Sequence, residues 1–407
     1  MTLTLLLDLD DTCLGNSMDI FIPAYLNALG DHLSALIPPD VLVPALLDAT
    51  QQMFQKIRPD KSLKQVFDET FFPAIGIEPE EIQDQIDSFY DQEFPRLQHL
   101  TQFRPEAVSL VDQAFERGYT VVIATNPLFP LTAILQRLEW AGLSPEQYPF
   151  SLIPSYESFY FAKPNPPFFA EILSRVGWPD GPVVMVGDDI NLDIVPAQRM
   201  GLSTFRITSE NQTSSGALEP SSGSGSLSDL LPWLDSTPED DLLPKYDHPD
   251  AILAILRATP AVLDAFTIEL DNVSWLENPQ PGEWSITEIM CHLRDVDAEV
   301  NLPRIKKVLS EENPFLPGID SDQWAHERLY YCQNGQEALS DFFAFRMQLL
   351  EVMKKLEPEE WMRTARHAIF GPTTLNELAS IIVGHDRLHL KQAYESLGVL
   401  SQRVMSN

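Results

Sequence analysis

The chain has 407 residues, of which 44% are hydrophobic, and its formal net charge at pH 7 is -33. At roughly 100 to 200 residues per domain, this length predicts two or three domains that each bury a core, and it excludes a largely disordered chain. The excess of acidic side chains repels polyanions, so we expect neither nucleic acid nor an anionic membrane surface as a partner.

Cysteine usage points to a reducing compartment, and hydropathy indicates neither a signal peptide nor a membrane span. The three cysteines are widely spaced and odd in number, which predicts neither a disulfide framework nor a CxxC metal knuckle. The apolar run in MTLTLLLDLDDT is too short for a signal peptide, and no stretch of about 20 apolar residues occurs that could span a bilayer. We therefore expect a cytoplasmic protein.

In the first half of the chain, short apolar runs alternate with helical patterns. The runs predict strands at residues 3–7, 121–124, 151–154, 183–186 and 203–207. Helices that end at Gly118, Gly142 and Gly177 fit between them, since glycine commonly closes a helix. Residues 16 to about 100 show helical patterns only. The alternation predicts an α/β fold with a doubly wound parallel sheet, interrupted by an inserted helical subdomain.

A segment rich in Ser, Gly, Pro and Asp, from about 209 to 249, separates the two halves. The short helical pattern SLSDLLPWL within it predicts that the first domain covers 1–235 and that a linker covers 236–248. Downstream, over 249–402, we find no convincing strand. Four long amphipathic patterns predict an all-α four-helix bundle there, at about 250–271, 285–310, 335–356 and 374–397.

Polar motifs follow the predicted strands of the first half. Asp8 and Asp10, in DLDDT, end the first strand, and alternation directs both carboxylates to one side. Thr125 and Asn126 follow VVIA, and Lys163 opens a helix in AKPNPPFF. The strand VVMVG precedes Asp188, Asp189 and Asp193. A phosphate dianion approaches such carboxylates only if a divalent cation and a lysine offset the repulsion, and oxygen ligands suit Mg²⁺.

In this order, the motifs resemble the four signature motifs of the haloacid dehalogenase-like (HAD) hydrolase superfamily, over about residues 1 to 235. The resemblance implies a Mg²⁺-dependent phosphatase in which Asp8 forms an aspartyl-phosphate and Asp10 is the general acid and base. The dehalogenase branch does not use this second aspartate, so phosphomonoester hydrolysis is favoured. Asp11 stands where many members have glycine.

The resemblance also implies the binding groups and the role of the insert. The phosphoryl group is expected on Thr125, Asn126 and Lys163. The Mg²⁺ ligands are expected to be Asp8, the Asp10 carbonyl and Asp188, supported by Asp189 or Asp193. The insert at 16–100 is the family's helical cap, which selects the leaving group. We expect a small phosphorylated metabolite, a sugar phosphate or nucleotide, and a cap whose aromatic residues form its own core: Phe21, Tyr25, Phe54, Phe71 and Phe72.

Three histidines of the second half form a predicted metal site. His385 and His389, in IIVGHDRLHLKQ, share one helix face about 6 Å apart. His292 lies two turns after the helix-start signal at Ser285 in GEWSITEIMCHLRDVDAE. Three neutral imidazoles in a bundle, with one open coordination position, are typical of a transition-metal site. Cys291 points about 100° away from His292 on a helix, so we expect it in the core.

These two motifs resemble the DinB-like four-helix-bundle superfamily, over about residues 249 to 402. The resemblance implies Zn²⁺, Ni²⁺ or another divalent transition metal on His292, His385 and His389. Three alternatives remain: the phosphatase is the main activity, the bundle is the main enzyme as a metal-dependent hydrolase or thiol S-transferase, or the bundle is a non-catalytic module that forms a homodimer.

Overall fold

The structure is a computed structural model of the chain and describes residues 2–208, 222–268 and 270–406. It divides into two compact units, Met1–Phe168 with Pro179–Pro244, and Phe169–Trp178 with Lys245–Asn407. The second unit thus resumes at Lys245, within the predicted linker. Much of the Ser- and Gly-rich segment predicted before that linker, at 209–221, lies outside the described residues.

A five-stranded parallel sheet forms the centre of the first unit. The strands of this unit are β1 (Thr4–Leu7), β2 (Leu14–Gly15), β3 (Gln102–Phe103), β4 (Thr120–Ile123), β5 (Val183–Gly187), β6 (Ser203–Ile207) and β7 (Ser222–Gly225). Strands β2 and β3 form a separate two-stranded sheet. The sheet order is β4-β1-β5-β6-β7, with every neighbour parallel. Both β1 and β5 are buried along their whole length, as expected of a parallel sheet covered on both faces. The predicted α/β fold is confirmed.

Two details of the sheet differ from the sequence prediction. The segment at 151–154 is not a strand, although backbone hydrogen bonds from Ser151 N to Val121 O (2.9 Å) and from Ile123 N to Leu152 O (3.0 Å) hold it beside β4. It ends at Pro154, which has no N–H group with which to extend the ladder. The hydrophobic pattern does not reveal β7, because its sequence, SGSG, contains no large apolar side chain.

The helices of the first half include the predicted insert. In chain order they are α1 (Met18–Leu33), α2 (Pro39–Gln55), α3 (Leu63–Ile75), α4 (Pro79–Gln92), α5 (Pro105–Glu116), α6 (Leu131–Trp140), α7 (Pro167–Arg175), α8 (Val195–Arg199) and α9 (Leu230–Ser236). A π-helical turn spans Ile190–Ile194, and 3-10 turns span Phe94–Leu100, Leu227–Asp229 and Glu239–Leu242. Helices α1 to α4 form the insert, whose core contains an edge-to-face pair of Phe21 and Phe94 with centroids 6.0 Å apart.

Helices dominate the second unit, as predicted. They are α10 (Pro249–Thr267), α11 (Ile286–Val296), α12 (Leu302–Ser310), α13 (Trp324–Glu327), α14 (Gly335–Met353), α15 (Pro358–Trp361) and α16 (Leu375–Ser406), with a π-helical turn at Asp297–Asn301 between α11 and α12. A 3-10 turn covers Tyr330–Cys332. The capping box predicted at Ser285 is present: its Oγ accepts from Glu288 N, and its N–H donates to the Glu288 carboxylate. The predicted four-helix bundle is confirmed.

The expectation that this half contains no strand is wrong. A small sheet of order β10-β9-β8 joins β8 (Phe315–Leu316), β9 (Thr364–His367) and β10 (Gly371–Thr374). Its strands are two to four residues long, too short to show an alternating pattern in the sequence. In the described part of the chain, no helix combines the length and the hydropathy that crossing a bilayer would require.

Candidate active site and metal centre

Polar residues meet at the carboxyl edge of the parallel sheet. Asp8 directly follows β1, Thr125 lies two residues after β4, and Asp188 directly follows β5. Because β1 lies between β4 and β5, the ends of these three strands are adjacent. All three residues line a cavity of about 650 Å³, together with Lys163. The structure therefore brings together groups that are far apart in the sequence.

Lys163 links two buried carboxylates at the base of this cavity. Its Nζ lies 2.7 Å from Asp8 Oδ1 and 2.6 Å from Asp193 Oδ1. Burial raises the pKa of Asp8 to about 7, although the charge of Lys163 opposes this shift. Burial alone would lower the pKa of Lys163, but the charges of Asp193 and Asp8 raise it above its usual value. Lys163 therefore stays cationic at the base of the cavity.

Asp8, Asp188 and Asp193 form a cluster of oxygen donors. One carboxylate oxygen from each lies within 4.8 Å of the other two. Burial, followed by the charge of Asp8, raises the pKa of Asp188 to about 6, and burial also raises the pKa of Asp193. A divalent cation would relieve this cost, and a set of hard oxygen donors fits Mg²⁺. The residues present therefore suit the cation that the sequence motifs predict.

The backbone that follows β5 is shaped around Asp193. A Cβ atom on Gly187 would lie 2.2 Å from Asp193 Oδ2, so only glycine fits there. The same Oδ2 accepts a hydrogen bond from Asp189 N at 3.1 Å. Asp189 itself turns to the helix that follows, where its Oδ1 accepts from the N–H groups of Asn191 (2.6 Å) and Leu192 (3.0 Å). Of the two candidates left open by the sequence, Asp193 joins the carboxylate cluster and Asp189 caps a helical turn.

Asp10 lies beside a buried arginine that the sequence motifs do not include. Its Oδ2 is 2.6 Å from Nη1 of Arg137 on α6, and its Oδ1 accepts from Asn16 Nδ2 at 2.7 Å. Arg137 is only 1% exposed and also lines the cavity. The sequence spacing does indicate that Arg137 faces inward, since it follows the buried Ala133 by four residues and so lies on the same face of α6.

The loop after Asp10 explains an unusual residue in the first motif. Asp11 has φ +56°, a left-handed conformation that favours glycine and that aspartate tolerates better than most side chains. Its Oδ1 accepts a hydrogen bond from Asn16 N at 3.0 Å, which stabilises this turn. An aspartate therefore satisfies a position at which glycine is common in the family that the motifs resemble.

The remaining predicted phosphate ligands lie at the same cavity but differ in their contacts. Thr125 is buried with 1% exposure. Asn126 contacts the backbone of Lys163, whose N–H donates to Asn126 Oδ1 at 3.2 Å, while Asn126 Nδ2 donates to Lys163 O at 3.5 Å. Asn126 therefore positions the segment that carries the lysine.

The second unit contains a cluster of three imidazoles. His292 on α11 places its Nε2 2.9 Å from His385 Nε2, and His389 Nε2 is 3.2 Å from the same atom, with His385 and His389 on α16. Burial, with the neighbouring histidines, lowers the pKa of His292 to about 2 and that of His385 to about 3. Burial also lowers the pKa of His389. Three neutral imidazoles with converging Nε2 atoms are a donor set suited to a transition-metal ion.

Neighbouring groups orient this cluster. His389 Nδ1 is 3.0 Å from Gln392 Oε1, so it donates there and leaves the Nε2 lone pair for a metal. The Trp284 ring stacks on His389 with an interplanar angle of 3° and centroids 5.7 Å apart. Cys291 is buried, and its Sγ lies 3.5 Å from Gln333 Oε1, in agreement with the core position predicted for it.

A buried charge network adjoins His385 and was not foreseen from the sequence. Arg346 on α14, which is fully buried, pairs with Asp297 at 2.7 Å and with Asp386, the residue after His385. Thr259 Oγ1 on α10 donates to the same Asp386 at 2.8 Å. The network joins three bundle helices and the π-helical turn, and so fixes the helix that carries two of the three histidines.

Comparisons with known proteins find a family model that matches each half of the chain. Residues 3–201 match the model of the haloacid dehalogenase-like hydrolases, and residues 255–393 match that of the DinB superfamily. A protein of Oceanobacillus iheyensis named "Putative metal-dependent hydrolase OB0782" is 26% identical over 131 residues, which is 32% of this chain and 75% of that protein.

Solved structures also match each half of the chain. A HAD phosphatase from Thermococcus onnurineus is 20% identical, with a TM-score of 0.38, over 57% of this chain and 98% of its own. YfiT from Bacillus subtilis, which has a four-helix bundle of unusual topology, is 19% identical, with a TM-score of 0.35, over 39% of this chain and 89% of its own.

Proposed function

We propose that this chain, which joins a haloacid dehalogenase-like hydrolase domain to a DinB-superfamily domain, hydrolyses a small phosphomonoester in its first domain through an aspartyl-phosphate. The observation that carries the proposal is the contact of Lys163 with both Asp8 and Asp193 at the edge of the sheet, beside Asp188. This arrangement offers a nucleophile, a cation for the phosphoryl oxygens and a set of oxygen donors for Mg²⁺.

In the proposed reaction, each of these side chains has one role. Mg²⁺ held by Asp8, Asp188 and Asp193 would neutralise charge on the phosphoryl group. Lys163 and Thr125 bind the phosphoryl oxygens. A carboxylate oxygen of Asp8 attacks phosphorus, the bond from phosphorus to the ester oxygen breaks, and the leaving oxygen takes a proton from the general acid. Water then attacks phosphorus and gives a proton back to that group, the bond to Asp8 breaks, and inorganic phosphate leaves.

Asp10 is the general acid and base in this proposal. A guanidinium only donates hydrogen bonds, so a protonated Asp10 cannot present its O–H to Arg137. Asn16 Nδ2 also donates, to the other carboxylate oxygen, so a protonated Asp10 has to direct its O–H away from both donors and toward the leaving oxygen. The presence of an aspartate here also favours phosphate over haloacid substrates, because a halide leaving group needs no proton.

Replacement of the nucleophile tests the proposal. Asp8→Asn should abolish phosphatase activity measured with p-nitrophenyl phosphate and Mg²⁺, because an amide is a poor nucleophile. The matched control is Asp84→Asn on α4, an exposed position outside the cavity, which should retain full activity. Chelation of Mg²⁺ should reversibly abolish turnover. Full activity of Asp8→Asn would contradict the assignment.

A second candidate activity rests on the three converging imidazoles. We propose that His292, His385 and His389 bind Zn²⁺ or Ni²⁺, and that the open position serves hydrolysis or activation of a low-molecular-weight thiol. Metal analysis should find one transition-metal ion per chain, lost in His385→Ala and kept in His326→Ala, an exposed histidine outside the cluster. Equal metal content in the two variants would contradict this site.

A further inference from the structure

Most of the wall of the cavity in the first unit is hydrocarbon. Helix α1 contributes Ile22, Leu26 and Leu29 to this wall, and helix α2 contributes Leu46 and Leu47. The cavity of about 650 Å³ falls in the range that encloses a drug-sized ligand, so it accommodates much more than a phosphoryl group. The polar residues of the motifs line it at the carboxyl edge of the sheet.

Aromatic rings extend this wall. Phe67 and Phe71 on α3 stack with centroids 4.9 Å apart, and Tyr156 packs edge-on against Phe67 at 5.9 Å. All three line the cavity, as do Tyr25 and Phe54. Of the aromatic residues expected in the core of the cap, Tyr25 and Phe71 are buried in that core and also line the cavity, and Phe54 lines it as well.

Three hydroxyl groups of the wall have partners within the protein. Tyr25 and Tyr90 share a hydrogen bond between their hydroxyls at 3.0 Å, and Thr50 Oγ1 donates to Leu46 O at 2.8 Å. Burial raises the pKa of Tyr25 to about 12, so this hydroxyl remains neutral. Other polar lining residues of the insert, Ser17, Asp19 and Gln51, are exposed to solvent.

We propose that the first domain acts on phosphomonoesters of apolar alcohols, with an alkyl or aryl leaving group, rather than on sugar phosphates or nucleotides. The lining also contains buried polar atoms without a partner, Asn16 Oδ1 and Arg137 Nε and Nη2, but both residues contact Asp10. A sugar hydroxyl placed against the aliphatic and phenyl side chains of the wall would lose its hydrogen bonds to water without a replacement, whereas an alkyl chain gains from leaving water. Lys163 and the carboxylate cluster bind the phosphate end, and the cap holds the carbon chain. The inference rests on the proposed phosphatase function and specifies its substrate class.

A homologous series of substrates tests the inference. With Mg²⁺ and the full-length protein, kcat/KM should rise about fourfold for each methylene from ethyl to butyl to hexyl phosphate, the factor for burying one methylene. Hexyl phosphate should exceed glucose 6-phosphate, which has the same number of carbons, at least tenfold. A flat series, or glucose 6-phosphate equal to hexyl phosphate, would overturn the inference while leaving phosphatase activity intact.

A matched pair of variants locates the effect at the cap wall. Leu47 and Val41 both lie on α2 and are 50% and 40% exposed, so glutamine at either position is compatible with folding, but only Leu47 lines the cavity. Leu47→Gln should lower the ratio of hexyl to ethyl phosphate activity at least threefold, and Val41→Gln should leave it unchanged. Equal ratios in the two variants would count against the wall as the specificity element.

Binding of unreactive analogues separates the inference from the proposed function. Calorimetry with methylphosphonate and hexylphosphonate should show tighter binding of the longer chain, at least tenfold, in the presence of Mg²⁺. If no phosphate ester is hydrolysed but hexylphosphonate binds tighter, the phosphatase proposal fails and the apolar specificity stands. Equal binding of the two phosphonates would overturn the apolar specificity.

Discussion

The affinity of the first domain for Mg²⁺ should depend steeply on pH. Burial raises the pKa of Asp8 to about 7 and that of Asp188 to about 6 in the folded chain. At pH 5 both carboxyl groups hold a proton that the cation must displace, whereas at pH 8 both are ionised. If the two groups titrate independently, protonation of Asp8 weakens Mg²⁺ binding at pH 5 by about 100-fold and protonation of Asp188 by about 10-fold. Together they weaken Mg²⁺ binding on the order of 1000-fold, which corresponds to about 4 kcal/mol.

The stability of the first domain without Mg²⁺ should fall as pH rises, whereas its affinity for Mg²⁺ should increase. A raised carboxyl pKa means that the folded state keeps protons that the unfolded chain releases near pH 4, so stability falls as pH rises from about 4 to 7. Mg²⁺ should restore this stability at pH 8 and have little effect at pH 5. Thermal melts with and without Mg²⁺ at the two pH values measure the difference.

Calorimetric titration of Mg²⁺ at pH 5, 6, 7 and 8, in buffers of different ionisation enthalpy, measures both the affinity and the protons released. From Asp8 and Asp188 together we expect nearly two protons released per ion at pH 5 and almost none at pH 8. The histidine cluster provides an internal control, because the pKa values of His292 and His385, about 2 and about 3, leave both neutral over this range. Zn²⁺ affinity of an Asp188→Asn protein should therefore vary little. A difference in Mg²⁺ affinity of less than tenfold between pH 5 and pH 8 would refute the predicted pH dependence.

Three structural predictions follow from buried contacts and a helix cap. Arg346→Met should lower the free energy of unfolding of the second unit by about 3 to 5 kcal/mol in chemical denaturation, because it leaves two buried carboxylates without a counter-charge; a loss below 1 kcal/mol would contradict this. Gly187→Ala should lower the free energy of unfolding by about 1 to 3 kcal/mol and weaken Mg²⁺ binding, because the added Cβ meets Asp193. Unchanged Mg²⁺ affinity would count against a role of this contact in the metal site. Ser285→Ala should cost about 1 kcal/mol through loss of the capping box, whereas Ser285→Thr keeps a hydroxyl and should retain most of the stability. Equal losses in these two variants would argue against the cap.

The first site has carboxylate donors and the second has imidazole donors, but burial shifts the pKa values of both. Burial raises the pKa values of the carboxyl groups in the first domain and lowers those of the imidazoles in the second. In both cases the neutral form is favoured because the charged form loses its hydration. Carboxylates then have to lose protons to bind a cation, while neutral imidazoles already present lone pairs. The first site is therefore expected to respond to pH and the second is not, between pH 5 and 8.

Much of the architecture could be read from local patterns. Apolar runs and helix-ending glycines predicted four of the five sheet strands, because burial in a parallel sheet requires continuous hydrophobic residues. The spacing of His385 and His389 predicted a shared helix face, since a helix turn fixes that geometry whatever surrounds it. Asp8 and Asp188 were found through motif order, because both follow buried strands whose ends must meet at one edge of the sheet.

Other features depended on which surfaces pack together. Arg137 meets Asp10 across 127 positions in the sequence, and Arg346 meets two aspartates on other helical segments. Such partners are chosen by tertiary packing, which a local pattern does not encode. The choice of Asp193 over Asp189 likewise depended on a helical cap that uses Asp189.

The sequence by itself determined the two domain types, the order of the polar motifs and the histidine spacing, because periodicity and motif order are local properties of the chain. Only the tertiary structure decided which carboxylates share Lys163, which arginine holds Asp10 and how apolar the cap wall is. The cap leucines and phenylalanines have the same hydrophobic character whether they face a core or a cavity. Their role is set by the space that the folded helices leave between them.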